Sequence, residues 1–400
     1  MLDPAGWAAV ACGAAAAAGI VYTLAAGSLV IPFFRRPPAA PKGFPPVTVV
    51  KPLHGAEEGL LENLASFCAQ DYPGPVQYLF GTRDPLDPAL ATVAELRRRF
   101  PAAAISVVAD PRQHGPNRKI SNLINLMPQA EHELLVFADS DVGVAPDYLR
   151  QVVGALQEPG VGAVTCVYRG KAEPVLWSRL SAIATDCQLL PSIITGLAAG
   201  LAEPCFGQTI ALRRSTLEAI GGFAAFREHL AEDHAIGHAV RRLGARVVIP
   251  PFAVTHASAE TTLRALVSHE LRWSRTIRAI DPKGHLGSLV THPVGLALLA
   301  VLAARGAAWT WALLALAVGA RLRLKWKVDH ALGISHGDLG LVPLWDLLSL
   351  PLFAASFLSG RVTWRGSRYR VDRKGRLSEP AREGPPRAVH REASQQAVSR

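Results

Sequence analysis

Four hundred residues can hold one large domain or two ordinary ones, and half of them are hydrophobic, with the apolar content gathered toward the two ends of the chain. The net charge of +10 raises nucleic acid as a partner, but there is no zinc-ligand pattern, no basic helix with heptads and no interleaved aromatic platform, which excludes it. Much of the excess lies in juxtamembrane and tail segments, where anionic lipid headgroups are the expected partner.

In chain order, residues 7–34 are almost free of charge and exceed the roughly 20 residues that a spanning helix needs. Arg35-Arg36-Pro37-Pro38 follows the apolar run, and no basic segment precedes it. That order predicts an uncleaved anchor over residues 1–36, amino terminus outside and basic flank in the cytosol, and not a signal peptide. Residues 37–46 form a Pro-rich linker. Strands are expected at 47–52, 76–81, 104–109, 134–137, 161–168 and 209–213. Helices are expected at 60–70, 89–100, 122–127, 148–156, 215–220 and 232–243. This alternation predicts an α/β domain over 47–285, a mostly parallel sheet with helices on both faces. Five cysteines (Cys12, Cys68, Cys166, Cys187 and Cys205) lack metal-ligand spacing and read as free thiols in a reducing compartment.

Residues 286–360 form a membrane region. Residues 286–305 and 306–320 read as two closely spaced crossings that return the chain to the cytosol at Arg321-Leu322-Arg323-Leu324-Lys325-Trp326-Lys327. A third apolar stretch, 340–359, is interrupted by Pro343, Asp346 and Pro351, so it is expected to be re-entrant or interfacial. Residues 361–400 form a basic cytosolic tail, disordered at its end.

The chemistry centres on Asp139-Ser140-Asp141. An apolar strand runs into two carboxylates at i and i+2, where ligands of open α/β sheets bind. Two aspartates there hold Mg²⁺ or Mn²⁺, and through it a diphosphate; the alternative is a strand-end turn. Asp84, in Arg83-Asp84-Pro85, is either an Asx-Pro turn or an acceptor for the imide N–H of a uracil ring. Asn117-Arg118-Lys119 opens a helix whose amides and cations suit phosphate or sugar oxygens, unless Asn117 and Ser121 merely cap it. The loop Cys205-Phe206-Gly207-Gln208-Thr209 either shapes a sugar pocket or turns the chain. Glu232-Asp233 is either an electrostatic helix cap or the source of a general base. His269-Glu270-Leu271-Arg272-Trp273 lies on a helix with Arg275 and Arg278. Arg272 could neutralise a leaving diphosphate and Trp273 wall the site, or the helix is a basic one at the membrane surface.

Taken in that order, these blocks resemble processive and lipid-directed GT-A glycosyltransferases. Lys51-Pro52-Leu53-His54-Gly55, Gln70-Asp71-Tyr72-Pro73, Asn117-Arg118-Lys119-Ile120-Ser121-Asn122-Leu123 and Trp364-Arg365-Gly366-Ser367-Arg368-Tyr369-Arg370 are similar to the ceramide glucosyltransferase family, glycosyltransferase family 21. His269 to Arg278 and Val164 to Gly170 are most similar to its bacterial hopanoid-biosynthesis-associated branch. The resemblance covers residues 45–370.

It implies a GT-A fold and inverting transfer from a UDP-sugar to a lipid hydroxyl, at the cytosolic face of the inner membrane. In the hopanoid branch the donor is UDP-N-acetylglucosamine and the acceptor a bacteriohopanepolyol. Carried onto this chain, it implies Asp233 as the base and Asp139 and Asp141 as ligands of Mg²⁺ or Mn²⁺. Asp84, Lys119, Asp139, Arg272 and Trp273 become donor contacts, and Gly207, Gln208 and His269 line the acceptor or sugar pocket. His269 stands where Gln or Arg is usual, a mark shared with the hopanoid branch; acceptor contact and diphosphate contact are both open to it. The alternatives are a ceramide glucosyltransferase using UDP-glucose and a processive polysaccharide synthase, for which the apolar segments are too few to build a channel. A non-enzymatic transporter subunit would leave the ordered aspartates without explanation.

Overall fold

In a computed structural model, residues 3–359, 361–364, 367–371 and 376–378 are described. The expected tail, 361–400, lies largely outside them, as do residues 365 and 366 of the 364–370 motif.

Ten strands lie between residues 47 and 258: Val47–Pro52 (β1), Val76–Thr82 (β2), Ala104–Ala109 (β3), Leu134–Phe137 (β4), Val142–Gly143 (β5), Val161–Thr165 (β6), Val167–Ala172 (β7), Ile210–Arg213 (β8), Arg246–Val248 (β9) and Ala253–Ser258 (β10). Seven form one sheet in the order β3-β2-β1-β4-β8-β6-β9, with β1 to β4 parallel and β8 antiparallel to both its neighbours. The strands are apolar on both sides because helices cover both faces. Val49 of β1 and Val136 of β4 enter one core with Phe67 and Phe80. Their neighbours Val50, Leu135 and Phe137 enter the other with Ile120 and Leu126. The chain moves outward from β1 to β2 and β3, then crosses back to β4. The crevice beyond the carboxyl ends of β1 and β4 is therefore the switch point of the sheet.

The single strand expected over 161–168 is two strands, which separate at Cys166 into different sheets. Thr165 makes the break: its Oγ1 accepts from Phe206 N at 2.8 Å and donates to Phe206 O at 3.2 Å. β7 then joins β5 and β10 in a small sheet of three strands. The helix expected to open at Asn117 and to take in 122–127 runs from Arg118 to Leu126, and the Asn117 side chain caps it by accepting from Ile120 N at 3.0 Å.

Among the described residues, three helices are long and apolar enough to cross a membrane: Pro4–Phe34, Leu176–Ala198 and Leu339–Ser356. Pro4–Phe34 presents small residues to its partners. A Cβ on Gly13 would meet Trp309 at 2.9 Å, and one on Gly19 would meet the Val290 carbonyl at 2.7 Å. Leu176–Ala198 was not expected as a candidate span, and a π-turn interrupts it at Thr185–Leu189. Two simple crossings over 286–305 and 306–320 are not what the chain forms. The first is a pair, Pro282–Thr291 and Pro293–Ala303, bent by 68°. The second is half of one 25-residue helix, Ala308–Leu332, which continues through the basic segment. Its buried Arg321 is held bidentate by Asp346, with Nε 2.9 Å and 3.0 Å from the two carboxylate oxygens, and Nη1 donates to Cys187 O at 2.6 Å. Pro351 is carried inside a continuous helix, Val342–Ser356.

Because both charges of the Arg321–Asp346 pair are buried, Asp346→Ala leaves a guanidinium with no counter-ion. It is expected to cost about 3–5 kcal/mol, read as a lowered thermal midpoint in detergent.

Candidate functional site

The parallel register of β1 and β4 sets the platform. Ala138 N donates to Val50 O at 3.2 Å, so Asp139 and Asp141 leave the sheet beside the end of β1. Lys119, in the first turn of Arg118–Leu126, points to the same place: its Nζ lies 2.6 Å from Asp139 Oδ1 and 2.9 Å from Glu232 Oε1. Asn117 adds to its capping role by donating to Glu232 Oε2 at 3.1 Å and to His229 O at 2.8 Å. Glu232 is thereby buried with both oxygens engaged.

Asp233, the next residue, accepts from Gly207 N at 3.0 Å through Oδ2 and from its neighbour His234 N at 2.7 Å through Oδ1. A side chain at position 207 would crowd this cluster. A Cβ there would sit 2.8 Å from Lys119 Nζ and 3.2 Å from Asp139 Oδ2.

Burial and crowding set the charges. Burial first, then Glu232, pushes the Asp233 carboxyl up to about 6 against the pull of Lys119. Burial also raises Asp139, with Lys119 opposing and Asp141 adding to the rise. Burial works against ionised Asp141 as well, but His256, Lys51 and Lys119 outweigh it and hold that carboxyl at about 2. Lys119 is held above the usual lysine value: burial opposes its charge, and Asp139 and Glu232 overcome it.

Two members of this cluster escape sequence reasoning. His256 of β10 stands opposite Val142 of β5, which puts its Nε2 3.3 Å from Asp141 Oδ2. Lys51 of β1 is fully buried, donates to Val142 O at 3.2 Å and lies 3.6 Å over the Phe67 ring. Burial brings its ammonium down to about 7, against the pull of Asp141 and Asp139. The available signals were a lysine inside the apolar run 47–52 and the alternation of Val254, His256 and Ser258.

Among the described residues, no three His, Cys, Asp or Glu side chains converge as a ready-made metal cage. The Asp139–Asp141 pair nonetheless fits a hard divalent cation. Asp141 Oδ1 is buried with no hydrogen-bond partner, and one or two carboxylates with ligand phosphates completing the shell is the usual Mg²⁺ arrangement.

All the residues singled out from the sequence line one cavity of about 1110 Å³: Asp84, Lys119, Asp139, Asp141, Gly207, Gln208, Asp233, His269, Arg272 and Trp273. Asp84 is exposed at its rim, where Oδ1 also accepts from Leu86 N at 2.9 Å, so turn-former and wall residue are the same side chain. Gln208 is buried in the wall. Trp273 meets Tyr168 edge-on at 6.1 Å and His269 at 4.9 Å. The remaining wall mixes polar side chains, among them Arg118, Glu203 and Asp281, with an apolar part. Leu189 comes from the π-turn of Leu176–Ala198, Leu201 from just beyond that helix, and Ile277 and Ile280 from Leu263–Ile280.

A mostly parallel sheet with flanking helices and acids at its switch point defines the GT-A class of fold. The mannosyltransferase PcManGT from Pyrobaculum calidifontis, solved in complex with GDP-Man and Mn²⁺, shares it with a TM-score of 0.51 and 22% identity, over 85% of this chain and 98% of that one. Within that class, the chain belongs to glycosyl transferase family 21, whose family model matches residues 11–377. Ceramide glucosyltransferase 1 of Caenorhabditis elegans is 24% identical over 239 residues, 60% of this chain and 51% of that protein. Ceramide glucosyltransferase 3 of the same organism is 21% identical over 367 residues, 84% of this chain and 75% of that protein. The chain thus spans about half the length of the first of these relatives.

Proposed function

We propose that this protein is a membrane-bound inverting glycosyltransferase that moves a sugar from a UDP-sugar to a hydroxyl of a lipid. One observation carries the reading: the carboxylate-and-lysine cluster at the ends of β1 and β4 shares a cavity with an apolar part, Leu189, Leu201, Ile277 and Ile280, that begins at a candidate membrane span. Residues 1–36 anchor the chain, 47–285 carry the chemistry and 286–360 lie in or on the membrane. The catalytic half faces the cytosol at the inner membrane, and the basic flanks meet anionic headgroups.

Asp139 and Asp141, with His256 behind Asp141, would hold Mg²⁺ or Mn²⁺, which supplies positive charge for the donor diphosphate. Lys119 and Arg272 add charge for the same group as it leaves. Asp84 accepts from the uracil imide at the rim, Trp273 walls the donor, and Gly207 and Gln208 leave space for the sugar. Asp233 removes the proton from the acceptor hydroxyl. The acceptor oxygen bonds to the anomeric carbon as the bond to the diphosphate oxygen breaks, and that electron pair leaves on the UDP. A single displacement inverts the centre. Glu232 is unsuited to the base role because the Lys119 ammonium lies 2.9 Å from its Oε1, whereas both hydrogen-bond partners of Asp233 are neutral backbone N–H groups.

Asp233 must be unprotonated to act, and its carboxyl is raised to about 6. Activity is therefore expected to be flat above that pH and to fall about tenfold per unit below it. A pH–rate profile of kcat/KM measures this; a carboxylate of ordinary pKa would keep full activity down to about pH 4.

Two donor–acceptor pairs fit this site. The motifs at 269–278 and 164–170 favour UDP-N-acetylglucosamine and a bacteriohopanepolyol. The names of the relatives favour UDP-glucose and ceramide. Reconstituted protein given labelled UDP-glucose or UDP-N-acetylglucosamine, with ceramide and bacteriohopanepolyol as acceptors, is expected to carry label into the organic phase. Label that stays wholly aqueous with both donors contradicts the reading.

A further inference from the structure

β10 directs a second acid toward the cavity. Its inward residues Val254, His256 and Ser258 are all buried, and the same phase continues to Glu260, which is 8% exposed. Glu260 Oε1 is hydrogen-bonded to Nδ1 of His269, on the helix Leu263–Ile280. An ionised carboxylate only accepts, so Nδ1 carries a proton, and in the neutral ring the lone pair is left at Nε2. Burial opposes ionisation of Glu260, but the hydrogen bond from His269 holds its carboxyl below the ordinary glutamate value.

Both side chains line the cavity, and Nε2 makes no hydrogen bond among the described residues. The imidazole lies 4.9 Å from Trp273, which in turn lies against Tyr168, so it sets a hydrogen-bond acceptor beside an aromatic pair in the wall. Pinning the end of β10 to the helix would need only a neutral amide. A buried carboxylate costs desolvation, and what it adds is a fixed ring orientation with the proton held on Nδ1. Polar groups placed singly in apolar walls are how binding sites fix ligand orientation.

We propose that Glu260 and His269 form a second polar anchor for the acceptor, in which His269 Nε2 receives a hydrogen bond from an O–H or N–H beside the hydroxyl that is glycosylated. Glu260 is the positioning residue that holds the imidazole in the receptive tautomer. The inference rests on the glycosyltransferase reading and deepens it. The acceptor class it defines is a lipid with a second hydrogen-bond donor next to the reacting hydroxyl, a vicinal diol or an amido alcohol, in preference to one with a lone hydroxyl.

The test uses the full chain in detergent micelles, with vicinal hexadecanediol and hexadecanol as probes. After nitrogen-15 labelling of histidine, the resonances lost in His269→Gln identify this ring. Nε2 is expected to be unprotonated, to move upfield when the diol is added and to stay in place with the alcohol. A protonated Nε2, or the same response to both lipids, overturns the proposal.

In transfer assays the diol is expected to be used with about tenfold higher kcat/KM than the alcohol. That difference should vanish in His269→Ala and Glu260→Ala and return in Glu260→Gln, whose amide oxygen still accepts from Nδ1–H. Equal use of the two lipids by the unaltered protein also overturns the proposal. Glycosylation of neither lipid counts against the glycosyltransferase reading, and the histidine resonance then decides the proposal by itself.

Discussion

Asp139→Asn is expected to lower kcat by about 10²–10³-fold while leaving the protein folded. The substitution keeps the size of the side chain and removes its charge. In the free protein Lys119 retains Glu232 at 2.9 Å, so its ammonium is not left unpaired and the local structure has little reason to rearrange. What is lost is the carboxylate nearest the proposed diphosphate position, and with it the affinity for a divalent cation. Mn²⁺ titration of the variant should show weakened binding in parallel with the loss of turnover. Full activity of the unaltered protein in excess EDTA would remove the metal from the account, leaving Lys119 and Arg272 to stabilise the leaving group. Asp141 has a different place in the cluster. One of its oxygens is engaged by His256 and the other is buried without a hydrogen-bond partner, so it is poised to accept a cation and not a proton.

Asp233→Asn is expected to lower turnover by about 10²–10⁴-fold, with UDP-sugar binding staying within a few-fold of the unaltered protein. The asparagine can still accept through its amide oxygen from Gly207 N or His234 N, so the loop carrying Gly207 stays in place. It cannot take a proton from an acceptor hydroxyl. Single-turnover kinetics at saturating donor, together with donor titration, separate the two effects. Loss of donor binding with turnover preserved at saturation would make Asp233 a binding residue and return Glu232 to consideration, against its ion pair with Lys119.

The half of the fold that carries the site was readable because its strands are apolar runs ending in polar residues. β1, β3 and β4 fall where those runs lie, and the acids follow β4 directly. The small sheet was not readable, because the inward face of β10 carries His256 and Ser258 where a core strand would carry Val or Leu. The Cys166 break was hidden for the opposite reason: residues on both sides of it are buried, so the apolar pattern runs straight through.

The membrane region was misread where charge is paired at long range. Arg321 reads as the end of a span when taken alone, yet Asp346, on another helix, satisfies it within the fold. At the site, residue types announced the chemistry, but the partnerships did not. Nothing in the spacing of Lys119 and Glu232 shows that one ammonium bridges Glu232 and Asp139, or that Gly207 is bare because that ammonium lies against it.

The central claim is that this site glycosylates a lipid, and mass spectrometry of lipid extracts from cells with and without the protein tests it most directly. The account predicts a lipid that gains a hexose or N-acetylhexosamine increment only when the protein is present, and that loses the increment when Asp233→Asn replaces it. The increment identifies the sugar and the parent mass identifies the acceptor. Lipid profiles that are identical with and without the protein, alongside a labelled polymer or no labelled product, would contradict it.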